Sequence, residues 1–252
     1  MPVRLSTGIF FNPSSMKNLF TLSLAFCCFY LPVFAQSLTG AQLLEKSIQY
    51  HDPEQKWASA SLQLQLLEKR PGAPDRQTII HLDLPKDFFR LEQWRGEDHI
   101  IRQVSETTCL HQLNGSENIS EQDNQKYQFD CQRTKRIRNY YTYLWGLPMK
   151  LKDKGTIIDK EVQNTQFEGK DCYAIKVTYD PEVGADTWYF YFDKTTFALI
   201  GYRFYHDEGQ NDGEYITLEG EEILNGFRLP KTRKWFVNKD DEFLGEDILQ
   251  KD

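Results

Sequence analysis

From Leu62 onward the apolar residues recur at every second position, in short runs cut by turn-forming residues, and this continues over most of the chain. Leu62, Leu64 and Leu66 alternate with Gln63, Gln65 and the mixed position Leu67. Side chains along a strand point to opposite faces in turn, so this pattern is a strand with one face buried. Residues 78–84, 87–94, 99–105 and 107–113 follow in the same manner, parted by Leu84-Pro85, Arg95-Gly96-Glu97 and a bend near Glu106. Turns about ten residues apart predict an antiparallel meander. A second series covers residues 156–162, 172–179, 187–192, 199–205, 215–223, 228–237 and 243–249, with Asp193-Lys194-Thr195-Thr196 and Asn225-Gly226 as its clearest hairpin turns.

Two segments break the period. Residues 38–50 carry Leu43, Leu44, Ser47 and Ile48 at helical spacing, behind a capping box of Thr39 and Gln42. Residues 133–145 place Ile137, Tyr140, Tyr141 and Leu144 on one stripe, and Gly146-Leu147-Pro148 ends it. Residues 114–130 between the series are polar and without period, and are expected to form a loop. The fold class that follows is α+β: about twelve antiparallel strands in a strongly curved sheet, with both helices on one face.

The first 35 residues belong to a different scheme. Lys17 precedes an uncharged apolar run from Leu19 to Leu31, followed by Val33-Phe34-Ala35 and Gln36. That is the order of a secretory signal cleaved after Ala35. The run is short for a membrane span and holds Pro32. Bulky Phe26 before Cys27 argues against lipidation at Cys27 or Cys28. Met16 is as good a start as Met1. Residues 36–252 are then expected to form one exported domain, periplasmic or associated with the outer membrane. They hold 28 basic and 37 acidic residues, a net charge of −9, which argues against nucleic acid as a partner. An oxidising compartment and three remaining cysteines predict one bridge and one buried thiol. Cys109 on a strand and Cys131 ahead of the second helix are the expected pair, with Cys172 left free.

Candidate chemistry is sparse. His51 and Asp52 would suit an acid/base pair or metal ligands, but adjacent helical residues diverge by about 100°, and Asp52-Pro53 is more simply a helix-ending turn. His81, His99, His111 and His206 have no ligand spacing, so no metal and no cofactor is expected. Trp188, Phe190 and Phe192 face one way and Tyr189 and Tyr191 the other, so both faces of that strand are covered.

Three segments carry a resemblance: Tyr50-His51-Asp52-Pro53, the run from Asn139 to Leu151, and Asp186-Thr187-Trp188-Tyr189-Phe190-Tyr191-Phe192. They resemble an uncharacterised family of secreted Gram-negative bacterial proteins. The resemblance implies a fold similar to the outer-membrane lipoprotein carriers of the LolA and LolB type, a strongly curved half-barrel whose concave face is closed by the two helices over an apolar cavity. It brings no catalytic residues. The expected function is therefore non-enzymatic binding of a lipid, an acyl chain or another apolar ligand by a monomer, with a transient envelope protein as a further partner. A hydrolase using His51, Asp52 or other carboxylates, and an envelope scaffold with a filled core, are the alternatives. The residues expected to wall a cavity are Leu44 and Ile48 on the first helix, Leu62, Leu64 and Leu66 on the first strand, Tyr140, Tyr141 and Leu144 on the second helix, and Trp188 and Phe190 on the aromatic strand.

Overall fold

The computed structural model describes residues 37–251, so the signal segment, Cys27, Cys28 and the junction after Ala35 lie outside the described residues. The chain opens with α1 (Gly40–His51) and a meander of β1 (Ser61–Lys69), β2 (Arg76–Asp83), β3 (Phe88–Arg95), β4 (Asp98–Val104) and β5 (Cys109–Leu113). Helices α2 (Glu121–Tyr127) and α3 (Cys131–Gly146) follow. The second series is β6 (Thr156–Ile158), β7 (Gln163–Phe167), β8 (Lys170–Tyr179), β9 (Thr187–Asp193), β10 (Leu199–Tyr205) and β11 (Glu214–Glu219). It ends with β12 (Glu222–Leu224), β13 (Phe227–Leu229), β14 (Thr232–Val237) and β15 (Phe243–Gln250).

Thirteen strands form one antiparallel sheet in the order β5-β4-β3-β2-β1-β15-β14-β11-β10-β9-β8-β6, with β7 also paired to β8. Its two edges do not pair with each other, so the sheet curls without closing into a barrel. Register slips at Leu199/Gly201 and Trp235/Phe236 add local bends. The seam between the two halves is β1 against β15, with Leu66 opposite Leu249 and Glu68 opposite Asp247.

Helices α1 and α3 cover the concave face. Leu43, Leu44 and Ile48 pack with Leu62, Leu64, Leu66, Ile80, Phe89 and Phe190 in one core. The Thr39–Gln42 capping box forms as the sequence predicts, with both reciprocal hydrogen bonds present. At the far end of α1, His51 is 5% exposed. Its Nδ1–H donates to the Arg228 carbonyl at 2.6 Å, and its Nε2 accepts from the Leu199 amide at 2.9 Å. Asp52 accepts from the Lys56 and Trp57 amides. The pair thus fastens the helix to β13 and β10 and caps the following turn.

Four details depart from the expected element boundaries. The segment 114–130 is not all loop: α2 lies within it, capped by Ser120 and ended by Gln128 in the left-handed region. Only Tyr127 of that helix is buried, so no apolar stripe betrays it. Tyr127 and Phe129 instead cover Ile100 in a small separate cluster. Residues 156–162 split, with β6 ending at Ile158 and β7 starting at Gln163. Gly220, at φ +66°, divides 215–223 into β11 and β12. Pro230, which lacks an amide donor, separates β13 from β14. Asn225 and Gly226, both at positive φ, turn β12 into β13 as a tight hairpin.

Cys109 and Cys131 form a disulfide across 22 residues, with Cα atoms 6.0 Å apart, and Cys172 is a buried free thiol. The bridge ties β5 to the start of α3. Two stability outcomes follow. Replacing both bridge cysteines by serine should cost about 3 kcal/mol in urea unfolding, the loop-closure entropy of a loop this size. His51→Ala should cost about 3 kcal/mol in the same measurement, because it strands a buried donor and a buried acceptor.

Candidate ligand-binding site

Where α3 crosses the second half of the sheet, helix and strands meet only in part. A cavity of about 940 Å³ remains between α3 and the inner faces of β9, β10, β11, β14 and β15. Its walls are mainly aromatic and aliphatic. Tyr140, Tyr143 and Leu144 descend from α3, Trp188 comes from β9, Tyr202 and Phe204 from β10, and Ile216, Trp235 and Leu244 complete the floor. Trp188 stacks on Phe204 at 4.8 Å between ring centroids and meets Tyr143 edge-on at 6.0 Å. The Tyr143 and Tyr179 hydroxyls share a hydrogen bond of 2.6 Å, which fixes one end of the wall. Ligand pockets typically enclose about 300–1,000 Å³, so the space is ample for a small amphiphile.

Outside the cavity lining, a group of buried polar side chains gathers at the seam. Glu68, Thr78, Gln93 and Asp247 are all 3% exposed or less. The Glu68 carboxylate accepts from the Tyr141 hydroxyl at 2.8 Å, from Thr78 at 2.6 Å and from Gln93 at 2.8 Å. Asp247 accepts from Arg70 at 2.8 Å, and Arg70 also spans the Trp235 ring at 5.2 Å. Arg233 is 1% exposed, lies 4.2 Å from the Trp145 ring centroid and donates to the Leu144 carbonyl. Two of its nitrogens, and the Tyr202 hydroxyl, have no hydrogen-bond partner among the described residues. Burial pushes the Tyr202 phenol up to about 12. Burial, reinforced by the Glu68 charge opposite, pushes the Asp247 carboxyl up to about 6.

The ten residues expected at a cavity wall fall into three places. Tyr140, Leu144 and Trp188 line the large cavity. Tyr141 lines a smaller pocket on the opposite flank of α3. Leu44, Ile48, Leu62, Leu64, Leu66 and Phe190 sit in the packed core, 0–9% exposed. One strand face therefore serves both purposes, with Trp188 at the cavity and Phe190 and Phe192 packed beside it. On the convex side Tyr191 is covered by Phe167 of β7, stacked at 4.1 Å. Arg70, Tyr202, Phe204 and Trp235 also line the cavity, as do the charged Lys150, Asp153, Asp186 and Glu214. One signal for the polar seam was present in the sequence: Glu68 continues the buried period of Leu62, Leu64 and Leu66. Among the described residues no three His, Cys, Asp or Glu side chains converge as metal ligands.

A family model matches residues 17–252. The chain belongs to DUF6503, a family of unknown function. No curated protein matches this DUF6503 chain. Among solved structures it is similar to a LolA superfamily protein from Nitrosomonas europaea, at 10% identity and a TM-score of 0.46, covering 85% of this chain and 93% of that one. It is also similar to an outer membrane lipoprotein-sorting protein domain from Vibrio parahaemolyticus, at 10% identity and 0.45, covering 82% and 90%. A DUF1329 family protein from Desulfovibrio piger gives 9% and 0.45, covering 84% and 91%.

The raised Asp247 carboxyl makes a pH prediction for this DUF6503 protein. A folded-state pKa above the unfolded value of about 3.9 means the fold favours the protonated form. Its contribution to stability is complete below about pH 4 and is lost as pH rises through about 6. His51, whose pKa burial lowers, acts in the opposite sense and loses stability as pH falls below about 6.5. That second effect cancels in a comparison with Asp247→Asn. The stability of Asp247→Asn relative to the parent protein, from urea unfolding at pH 4.5 and 7.5, should therefore improve at the higher pH.

Proposed function

We propose that this protein binds the apolar chain of a lipid or lipid-modified molecule in the bacterial envelope, without catalysing a reaction on it. The observation that carries this reading is the cavity of about 940 Å³ between α3 and the sheet, walled by Trp188, Phe204, Tyr202, Trp235 and Leu144. Each methylene moved from water onto such walls gains about 0.8 kcal/mol, so ten of them suffice for useful binding without a specific polar contact. The Cys109–Cys131 disulfide supports an oxidising compartment, and the signal-like first 35 residues support export. The similar solved structures include a protein described as an outer membrane lipoprotein-sorting domain, and a lipoprotein acyl chain is the corresponding candidate here.

The hydrolytic alternative, in its His51 and Asp52 form, is weakened by how those two residues are engaged. Both ring nitrogens of His51 hold backbone groups, and both Asp52 oxygens cap backbone amides. Neither side chain lines the cavity.

Binding should respond to cavity volume. Thr142 faces the cavity from α3 and is half-buried, so Thr142→Trp should fill space without disturbing the core. Displacement of a fluorescent fatty acid should weaken at least tenfold in this variant, with the unfolding midpoint nearly unchanged. Native mass spectrometry of detergent-free protein should show a bound lipid mass. If neither the probe nor a lipid mass is found, the space does not serve apolar binding.

A further inference from the structure

On the other flank of α3 lies a second pocket, of about 400 Å³, between the helix and the inner faces of β2, β3 and β4. Its chemistry is opposite to that of the large cavity. Five arginines line it: Arg76 on β2, Arg95 on β3, Arg102 on β4, and Arg133 and Arg136 on α3. No aspartate or glutamate lines it. In a chain with formal net charge −7, that concentration of one sign runs against the average.

The placement is not incidental to strand pairing. Arg76 and Arg95 are direct cross-strand partners, an arrangement that destabilises a sheet when the charges are alike. Arg133 and Arg136 are three apart on α3 and so share one helical face above them. Arg102 is buried at the base, held by the Tyr127 and Gln128 carbonyls and stacked 4.7 Å from the Phe129 ring centroid. Among the described residues, the Arg95 side chain hydrogen-bonds the neutral Gln93 amide oxygen and no carboxylate. Arg76, Arg133 and Arg136 have no ion-pair partner among the described residues. Glu68 lies opposite Arg76 across β1 and β2, but its carboxylate is already engaged by Tyr141, Thr78 and Gln93. Burial, reinforced by the Arg95 and Arg133 charges and opposed by Asp130, brings Arg102 down to about 10.

We propose that this arginine pocket is an oxyanion site that binds a phosphate group, either free or as the charged end of an amphiphile. Guanidinium forks match the oxygens of a phosphate and bind it in bidentate fashion. Arg76, Arg95, Arg133 and Arg136 crowd around Arg102 in a space that no carboxylate lines, and a bound anion would relieve their mutual repulsion. Tyr140 borders both this pocket and the apolar cavity, so one amphiphile can place its tail on one side of α3 and its head on the other. The oxyanion site itself rests on the arginines alone and stands whether or not the cavity holds a lipid.

The test uses inorganic phosphate, dodecyl phosphate and the uncharged dodecyl maltoside, the last two below their micellar concentrations. Each is titrated at fixed ionic strength into the parent protein, Arg76→Gln/Arg136→Gln and Thr142→Trp. The expected result is saturable thermal stabilisation by phosphate beyond that of chloride, or binding of dodecyl phosphate at least tenfold tighter than dodecyl maltoside. Either should weaken at least tenfold in Arg76→Gln/Arg136→Gln. Response to inorganic phosphate identifies a free anion, and response to dodecyl phosphate alone identifies a headgroup. The glutamine variant should also unfold at higher urea than the parent protein in low salt without phosphate. If dodecyl phosphate and dodecyl maltoside bind alike and inorganic phosphate does nothing, or if the glutamine variant binds as the parent does, the oxyanion site is refuted. In that case loss of dodecyl maltoside binding in Thr142→Trp would still uphold the apolar cavity.

Discussion

The pairing of β1 with β15 holds the rest together. It brings residues 65–69 alongside 246–250, nearly the full length of the folded chain apart, and joins two meanders into one sheet. Closing so long a loop is entropically costly, and the return is a continuous curved surface that neither half could form alone. The same register places Glu68 opposite Asp247 and Arg233 opposite Asp247 across the next strand. The seam is therefore both the join of the fold and the site of its buried charges. Tyr141, Thr78 and Gln93 satisfy Glu68, and Arg70 pairs with Asp247.

Helix α3 then sorts the concave face by chemistry. One flank overhangs aromatic strands and leaves the large cavity, and the other overhangs β2–β4 and leaves the arginine pocket. The helix is held along its whole length, by the disulfide and Thr134 on His111 at its start, Arg138 on Asp87 and Tyr141 on Glu68 along its middle, and Tyr143 on Tyr179 and Arg233 on the Leu144 carbonyl near its end. A helix fixed this way is a rigid partition rather than a loose lid. Helix α1 does different work. Its apolar stripe fills the core beneath it, and His51 latches its end to two strands of the second half.

Much of the secondary structure was legible because period two and period 3.6 are local signals. The Thr39–Gln42 cap, the Asn225-Gly226 hairpin and the α3 stripe could each be read from a few residues. The short polar helix α2 was not, because it buries one side chain and has no period to show. The split at Gly220 was equally silent, since glycine is compatible with strand or turn until its φ is known.

By itself, the sequence determined that this chain forms a curved antiparallel sheet with two main helices on one side, a single disulfide and a surplus of buried aromatics. Those are consequences of alternation, capping and cysteine count, all of which act over short distances. Only the tertiary structure decided which apolar residues are packed and which border empty space. Leu64 and Trp188 both lie on inward-facing strand positions, yet one is fully enclosed and the other faces a cavity. The difference lies in how far α3 stands from each strand, a distance set by contacts remote in sequence. The same holds for the arginine pocket, whose members come from three strands and a helix and meet only because the sheet curls beneath α3.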